Sequence, residues 1–230
     1  IKAALRSRQR GFLLNPFRFG SSTPPIPGSV VYLNHFDGED GSTSLSDVTG
    51  KTYELVEAGI SLKTDQKKFG SASVGGFASS RSLSVLGIPI AGDADFTACA
   101  WIRWDGASGS KAIISLAGGG GTELYVSGGK LAFWRSSGAV TGTDDVPVNE
   151  WAFAALERKS GVSVTTLNGV IQGTYAGEYN NATERVNIGC WAHSNGSESF
   201  GGYIDEVLIR VGGTQFGGGA FTPPTAPFSV

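Results

Sequence analysis

The residues with the clearest chemical potential are two adjacent carboxylates, Asp205 and Glu206. They lie in the apolar run Gly201-Gly202-Tyr203-Ile204-Asp205-Glu206-Val207-Leu208-Ile209-Arg210-Val211. A buried charge must be paired, hydrogen-bonded or metal-bound, so both need partners. Strand alternation predicts Tyr203, Asp205, Val207, Ile209 and Val211 on one face, and Ile204, Glu206, Leu208 and Arg210 on the other. Carboxylates on opposite faces cannot serve one substrate atom. Glu206 is then expected to pair with an arginine such as Arg210 or Arg103, and Asp205 to accept backbone N–H groups. Asp144-Asp145 reads as a turn, and the two histidines, His35 and His193, sit in unrelated contexts. Two cysteines with two distant histidines do not make a zinc site. No catalytic residue is assigned.

Sugar recognition finds better material. The loop Cys190-Trp191-Ala192-His193-Ser194-Asn195-Gly196-Ser197-Glu198-Ser199 combines a flat aromatic with amides and hydroxyls, groups that stack on sugar faces and bond their hydroxyls. Trp191, His193 and Asn195 are its candidate carbohydrate contacts, with Trp134, Tyr175 and Tyr179 as expected neighbours. The competing reading makes Trp191 a core residue and the loop merely solvated.

These residues must be positioned by strands. Glycine is 35 of 230 residues, and much of it separates short apolar runs, which is turn chemistry for a many-stranded protein. Strands are expected at Ser29–Phe36, Lys51–Val56, Gly59–Lys63, Lys67–Val74, Arg81–Val85, Asp95–Trp104, Ala112–Leu116 and Glu123–Val126. Others are expected at Lys130–Arg135, Trp151–Arg158, Val162–Leu167, Val170–Tyr175, Arg185–Trp191 and Gly202–Val211. Gly128-Gly129 and Asn168-Gly169 mark hairpins. With no amphipathic helix inside the domain, an all-β, two-sheet antiparallel jelly-roll sandwich follows. Cys99 and Cys190 fall in apolar strand-like runs, as free buried thiols or as one inter-strand disulfide.

The flanks differ from residues 29–211. Residues 1–28 carry Lys2, Arg6, Arg8, Arg10 and Arg18 and no acid, net +5, whereas the remainder holds 13 basic and 20 acidic residues, net −7. With Phe12, Leu13, Leu14, Phe17 and Phe19 ahead of the stiff Pro24-Pro25-Ile26-Pro27 stretch, this segment reads as an extended anchoring arm. It either docks on a partner or folds back on its own domain. Five charges without a helical or aromatic motif are weak grounds for nucleic acid. Residues 212–230, rich in glycine and proline, cannot form a central strand, and are expected to wrap the surface through Phe221 and Phe228. No run approaches the ~20 apolar residues of a membrane span. Methionine is absent, even at position 1, which points to a processed product, a recombinant form or part of a longer chain.

Several motifs together resemble laminin-G-like, concanavalin-A-like jelly rolls. They are Leu33-Asn34-His35-Phe36-Asp37-Gly38, Lys68-Phe69-Gly70-Ser71-Ala72-Ser73, Asp95-Phe96-Thr97-Ala98-Cys99-Ala100-Trp101-Ile102, Asn149-Glu150-Trp151-Ala152-Phe153-Ala154-Ala155, Leu167-Asn168-Gly169-Val170 and Gly202-Tyr203-Ile204-Asp205-Glu206-Val207. The resemblance implies core roles for Trp101 and Trp151, and a calcium (Ca²⁺) site between Asp37 and Asp205. It offers no E-x-D-x-x-E spacing of the glucanases that share the fold, so a non-enzymatic role is expected. The flanks Leu14-Asn15-Pro16-Phe17-Arg18-Phe19-Gly20 and Phe221-Thr222-Pro223-Pro224-Thr225-Ala226-Pro227-Phe228 are similar to segments framing such domains in tailed-bacteriophage virion proteins. They imply a structural decoration, fibre or tail-associated component. It would be oligomeric within its assembly, attach to other virion proteins through its arm, and display a domain able to meet host-surface glycans.

Overall fold

The computed structural model describes residues 28–77, 83–90, 94–117, 122–135, 138–177, 183–191 and 198–229. The arm residues Arg6, Arg8, Arg10, Phe12, Leu13, Leu14, Phe17, Arg18 and Phe19 lie outside them, as do Tyr179, His193 and Asn195.

Short apolar runs between turns give fifteen strands among the described residues. They are β1 (Ser29–Asn34), β2 (Tyr53–Val56), β3 (Ser61–Lys63), β4 (Ser73–Gly75), β5 (Leu83–Ile90), β6 (Phe96–Trp104), β7 (Ser110–Ala117) and β8 (Thr122–Ser127). Then follow β9 (Lys130–Arg135), β10 (Gly138–Asp145), β11 (Trp151–Lys159), β12 (Val162–Leu167), β13 (Val170–Ala176), β14 (Thr183–Ile188) and β15 (Gly202–Val211). The first sheet runs β13-β12-β11-β6-β15-β4-β3, with β1 also on β15, and the second runs β10-β9-β8-β7-β14-β5-β2. All strand pairings are antiparallel, and the two sheets form a jelly-roll sandwich.

Inward side chains from both sheets fill the core. Ile102, Ile204, Val207 and Ile209 of the first sheet meet Val85, Ile114, Leu124, Val126 and Phe133 of the second. Asp145, expected in a turn, ends β10 instead: it pairs with Lys130 in the ladder and by an ion pair of 2.7 Å. This strand was not legible because its Gly-Thr-Asp composition has low β propensity, whereas an edge strand benefits from such charges. Most of Lys67–Val74, expected as a strand, is loop, and only Ser73–Gly75 pairs.

The face assignment of β15 differs from simple alternation. A register shift against β6 falls between Asp205 and Leu208, and Glu206 adopts φ 51°, a left-handed conformation that non-glycine residues seldom take. This bulge puts Ile204, Val207 and Ile209 inward, while Leu208 joins an outer cluster with Leu33, Cys99, Trp101, Phe153 and Ala155. Asp205 and Glu206 therefore both engage outer-layer partners. Glu206 takes no arginine: its Oε1 lies 2.8 Å from His35 Nδ1, and its Oε2 accepts the Phe228 N–H at 3.0 Å.

The outer face of the first sheet is covered around Phe153 by the C-terminal segment. Phe216, Phe221 and Phe228 pack on Phe153, the first two rings stacked at 3.9 Å. Buried Glu157 accepts the Phe216 and Gly218 N–H groups at 2.8 Å each, and Gly169 O accepts Phe221 N–H. Carboxylates thus hold this segment near both ends, offsetting their own desolvation with charge-assisted hydrogen bonds. Trp101 belongs to this outer cluster, with Trp151 packed against it, so neither lies between the sheets. Cys99 and Cys190 are free buried thiols.

Deleting residues 214–230 removes three half-buried phenylalanines, each worth about 1–2 kcal/mol of apolar burial. Urea denaturation is expected to show a loss of about 3 kcal/mol or more, with new binding of a hydrophobic dye. Unchanged stability would mean that the outer cluster needs no cover.

Candidate functional site

The outer face of the second sheet carries a different set of residues. In β8, Leu124 and Val126 enter the core, so Glu123 and Tyr125 point outward. The register then places Ser84 (β5), Asn187 (β14), Ser115 (β7), Glu123 (β8) and Trp134 (β9) in one row across five strands. Ser84 Oγ donates to Asn187 Oδ1 at 2.8 Å, and Ser115 Oγ to Glu123 Oε1 at 3.1 Å.

Trp191 lies over this face. Its ring stacks on buried Tyr125 at 6.5 Å with a 28° interplanar angle, and tilts toward Trp134 at 6.2 Å. Both indoles are half-buried, so each keeps an accessible surface. Trp191 and Trp134 are thus brought together as their composition anticipated, and Trp191 is not an inter-sheet core residue. Tyr175 lies apart: it packs against the inter-sheet core and holds the Arg135 guanidinium 3.7 Å from its ring centroid.

Glu123 and Tyr125 were missed by the sequence reading, although the alternation Glu123-Leu124-Tyr125-Val126 marks them as a pair on one face. Glu123 is 0% exposed, and its Oε2 has no hydrogen-bond partner. Burial pushes its carboxyl up to about 8, opposed by the Ser115 hydrogen bond and reinforced by the charge of Glu198. A carboxyl held neutral at pH 7 can both donate and accept.

The two residues expected to hold calcium clamp one loop from two sides. Asp205 Oδ2 accepts the Lys68 and Phe69 N–H groups at 2.8 and 3.2 Å, and its Oδ1 accepts Glu206 N–H at 2.9 Å. Asp37 Oδ1 accepts both the N–H and the hydroxyl of Ser71. Burial pushes Asp205 up to about 7, against the pull of the Lys68 and Phe69 N–H groups. Calcium needs six to eight oxygens, yet these carboxylates face backbone N–H groups. No group of three or more His, Cys, Asp or Glu gathers among the described residues. The donor set does not fit the ion.

With this geometry in hand, the chain can be set beside known proteins. The Laminin_G_3 model, described as concanavalin A-like lectin/glucanases superfamily, matches residues 77–210, more than half of the chain. The chain belongs to this superfamily. No curated protein matches it. Among solved superfamily-like folds, domain 4 of AbnA, a GH43 extracellular arabinanase from Geobacillus stearothermophilus in complex with arabinotriose, is similar with a TM-score of 0.60 at 16% identity, covering 81% of this chain and 94% of that one. The binding domain of botulinum neurotoxin DC in complex with SialylT gives 0.55 at 16% identity, covering 79% and 48%. The botulinum neurotoxin serotype C1 binding domain gives 0.56 at 15%, again covering 79% and 48%. This lectin-like chain therefore spans about half of each toxin domain. At such identities the likeness shows the fold.

Two measurements test the Glu123 and calcium assignments. The unfolded chain releases the Glu123 proton near the ordinary 4.5, whereas the folded protein keeps it to about 8. The stability this proton confers is complete below about 4.5 and is lost as pH rises through about 8. Glu123→Gln is expected to flatten the decline, melting higher than the parent at pH 9 and converging with it at pH 4. Separately, melting with excess calcium and with chelator should coincide, and a calcium-dependent rise would reverse the conclusion on Asp37 and Asp205.

Proposed function

We propose that the domain is a non-catalytic carbohydrate-binding module that meets glycans with Trp134 and Trp191 on the outer face of its second sheet. The observation that carries this reading is the pair of half-buried indoles 6.2 Å apart on the outer face of the second sheet. Indole faces take sugar C–H surfaces, and carboxyl, amide and hydroxyl groups supply orientation. The complexes of the similar structures with arabinotriose and SialylT support the ligand class. The chain also lacks the glucanase E-x-D-x-x-E carboxylate spacing.

A second reading places the same module on a bacteriophage virion as a structural decoration, fibre or tail-associated component. Its support is the +5 charge of residues 1–28 with their aromatic groups, and the resemblance of both flanks to those of tailed-phage proteins. In that setting the arm docks on other virion proteins, in several copies, and the sandwich faces host-surface glycans.

A glycan array followed by calorimetry tests the first reading. Trp134→Ala and Trp191→Ala are each expected to weaken the best hit by about tenfold while the domain keeps its β-sheet circular dichroism. Absence of any hit, or binding indifferent to both changes, would sink it. For the second, deleting residues 1–28 should abolish particle incorporation while the domain stays folded.

A further inference from the structure

A groove of about 500 Å³ opens on the other sheet, away from the Trp134–Trp191 face. Its floor lies at the end of the first sheet that the C-terminal segment leaves open. There Arg103, Tyr203 and Gly75 align across β6, β15 and β4. Their neighbours Ile102, Ile204 and Val74 enter the core, so this row faces outward. The lining combines Lys63, Phe77, Arg103, Asp105, Asn149 and Tyr203, with no residue of the C-terminal segment.

Glycine shapes the groove. A Cβ at Gly75 would stand 3.0 Å from the Tyr203 ring and 3.3 Å from Lys63 Cγ, so its absence lets the tyrosine lie close against the sheet. A Cβ at Gly201 would fall 2.3 Å from an Asp105 carboxylate oxygen, so that wall is also cut back.

The charges in the groove are unbalanced. Arg103 spends one donor on Asn149 Oδ1 at 3.2 Å, and its guanidinium lies 6.0 Å from the Tyr203 centroid. The described ion pairs are His35–Glu206 and Lys130–Asp145, so neither Arg103 nor Lys63 has a carboxylate within ion-pair distance among the described residues. Asp105 Oδ1 accepts the Ala107 N–H at 2.9 Å, which engages it in its own turn. Two cations thus flank an aromatic face, with an amide and one carboxylate at the rim.

We propose that this groove binds a sugar residue bearing a single carboxylate, of the uronic or sialic acid class. Arg103 offers its remaining planar N–H groups to the carboxylate, a geometry that guanidinium satisfies bidentately, and Lys63 adds a second positive charge. The Tyr203 ring receives the apolar side of the sugar, while Asp105 and Asn149 accept from its hydroxyls. Asp105 also opposes a second acidic group, which favours a monoanion over an acidic peptide run. The site is independent of the indole pair.

Calorimetric or NMR titration with N-acetylneuraminic acid and with galacturonic acid tests the proposal, with galactose as the neutral control. At least one acidic probe is expected to bind saturably near ~1 mM and to weaken as salt rises. The double variant Arg103→Gln, Lys63→Gln, with melting temperature as in the parent, should lose at least about tenfold in affinity. Trp134→Ala with Trp191→Ala should leave that binding unchanged, which separates this site from the indole face. Failure of both acidic probes to bind, or binding unaffected by the Arg103 and Lys63 changes, overturns the proposal. So does equal binding of the neutral control.

Discussion

The bulge at Glu206 is the constraint on which the outer layer depends. By absorbing one extra residue, β15 keeps Ile204, Val207 and Ile209 in the core while bringing two successive carboxylates to outer-layer partners. A left-handed glutamate costs of order 1–3 kcal/mol, which must be offset locally. The offsets are visible: Asp205 fixes the Lys68-Phe69 turn, and Glu206 joins His35 to the backbone of Phe228. Without the bulge, strict alternation would direct one of these charges into an apolar interior, where an unpaired carboxylate is not tolerated.

From that constraint follows the asymmetry between the two outer faces. The first sheet is covered over most of its outer surface by a segment that contributes no strand, since its prolines deny it ladder hydrogen bonds. Glu157 and Glu206 replace that ladder with a few strong contacts to N–H groups, and phenylalanines supply the packing. The second sheet instead presents a polar row capped by indoles. A sandwich with one face largely polar and indole-capped suits recognition, because the strands under the site are held by the core. The groove at Arg103 occurs where the cover on the first sheet stops.

Much of the architecture was legible from local pattern. Turn glycines, the Asn168-Gly169 hairpin and period-two runs such as Phe96–Trp104 define strands because side-chain alternation and turn conformations are short-range properties. Trp134 and Trp191 could be nominated by residue type alone. Glu123 could not, because its significance lies in what surrounds it: Ser115 eight residues away, and Glu198 far along the chain. β10 escaped for the opposite reason, since its polar composition hides a pairing that its neighbour β9 imposes.

The sequence by itself determined the fold class, the hairpins and the separate character of the two flanks, all properties encoded within a few residues of one another. Only the tertiary structure decided which way the Asp205–Glu206 pair would turn, because a bulge is a mismatch between two strands and neither strand contains it alone. It likewise decided that the calcium candidates face N–H donors, and that four strands contribute one polar row beside Trp134. Cross-strand register sets these relations, and register is settled by packing over the whole sandwich.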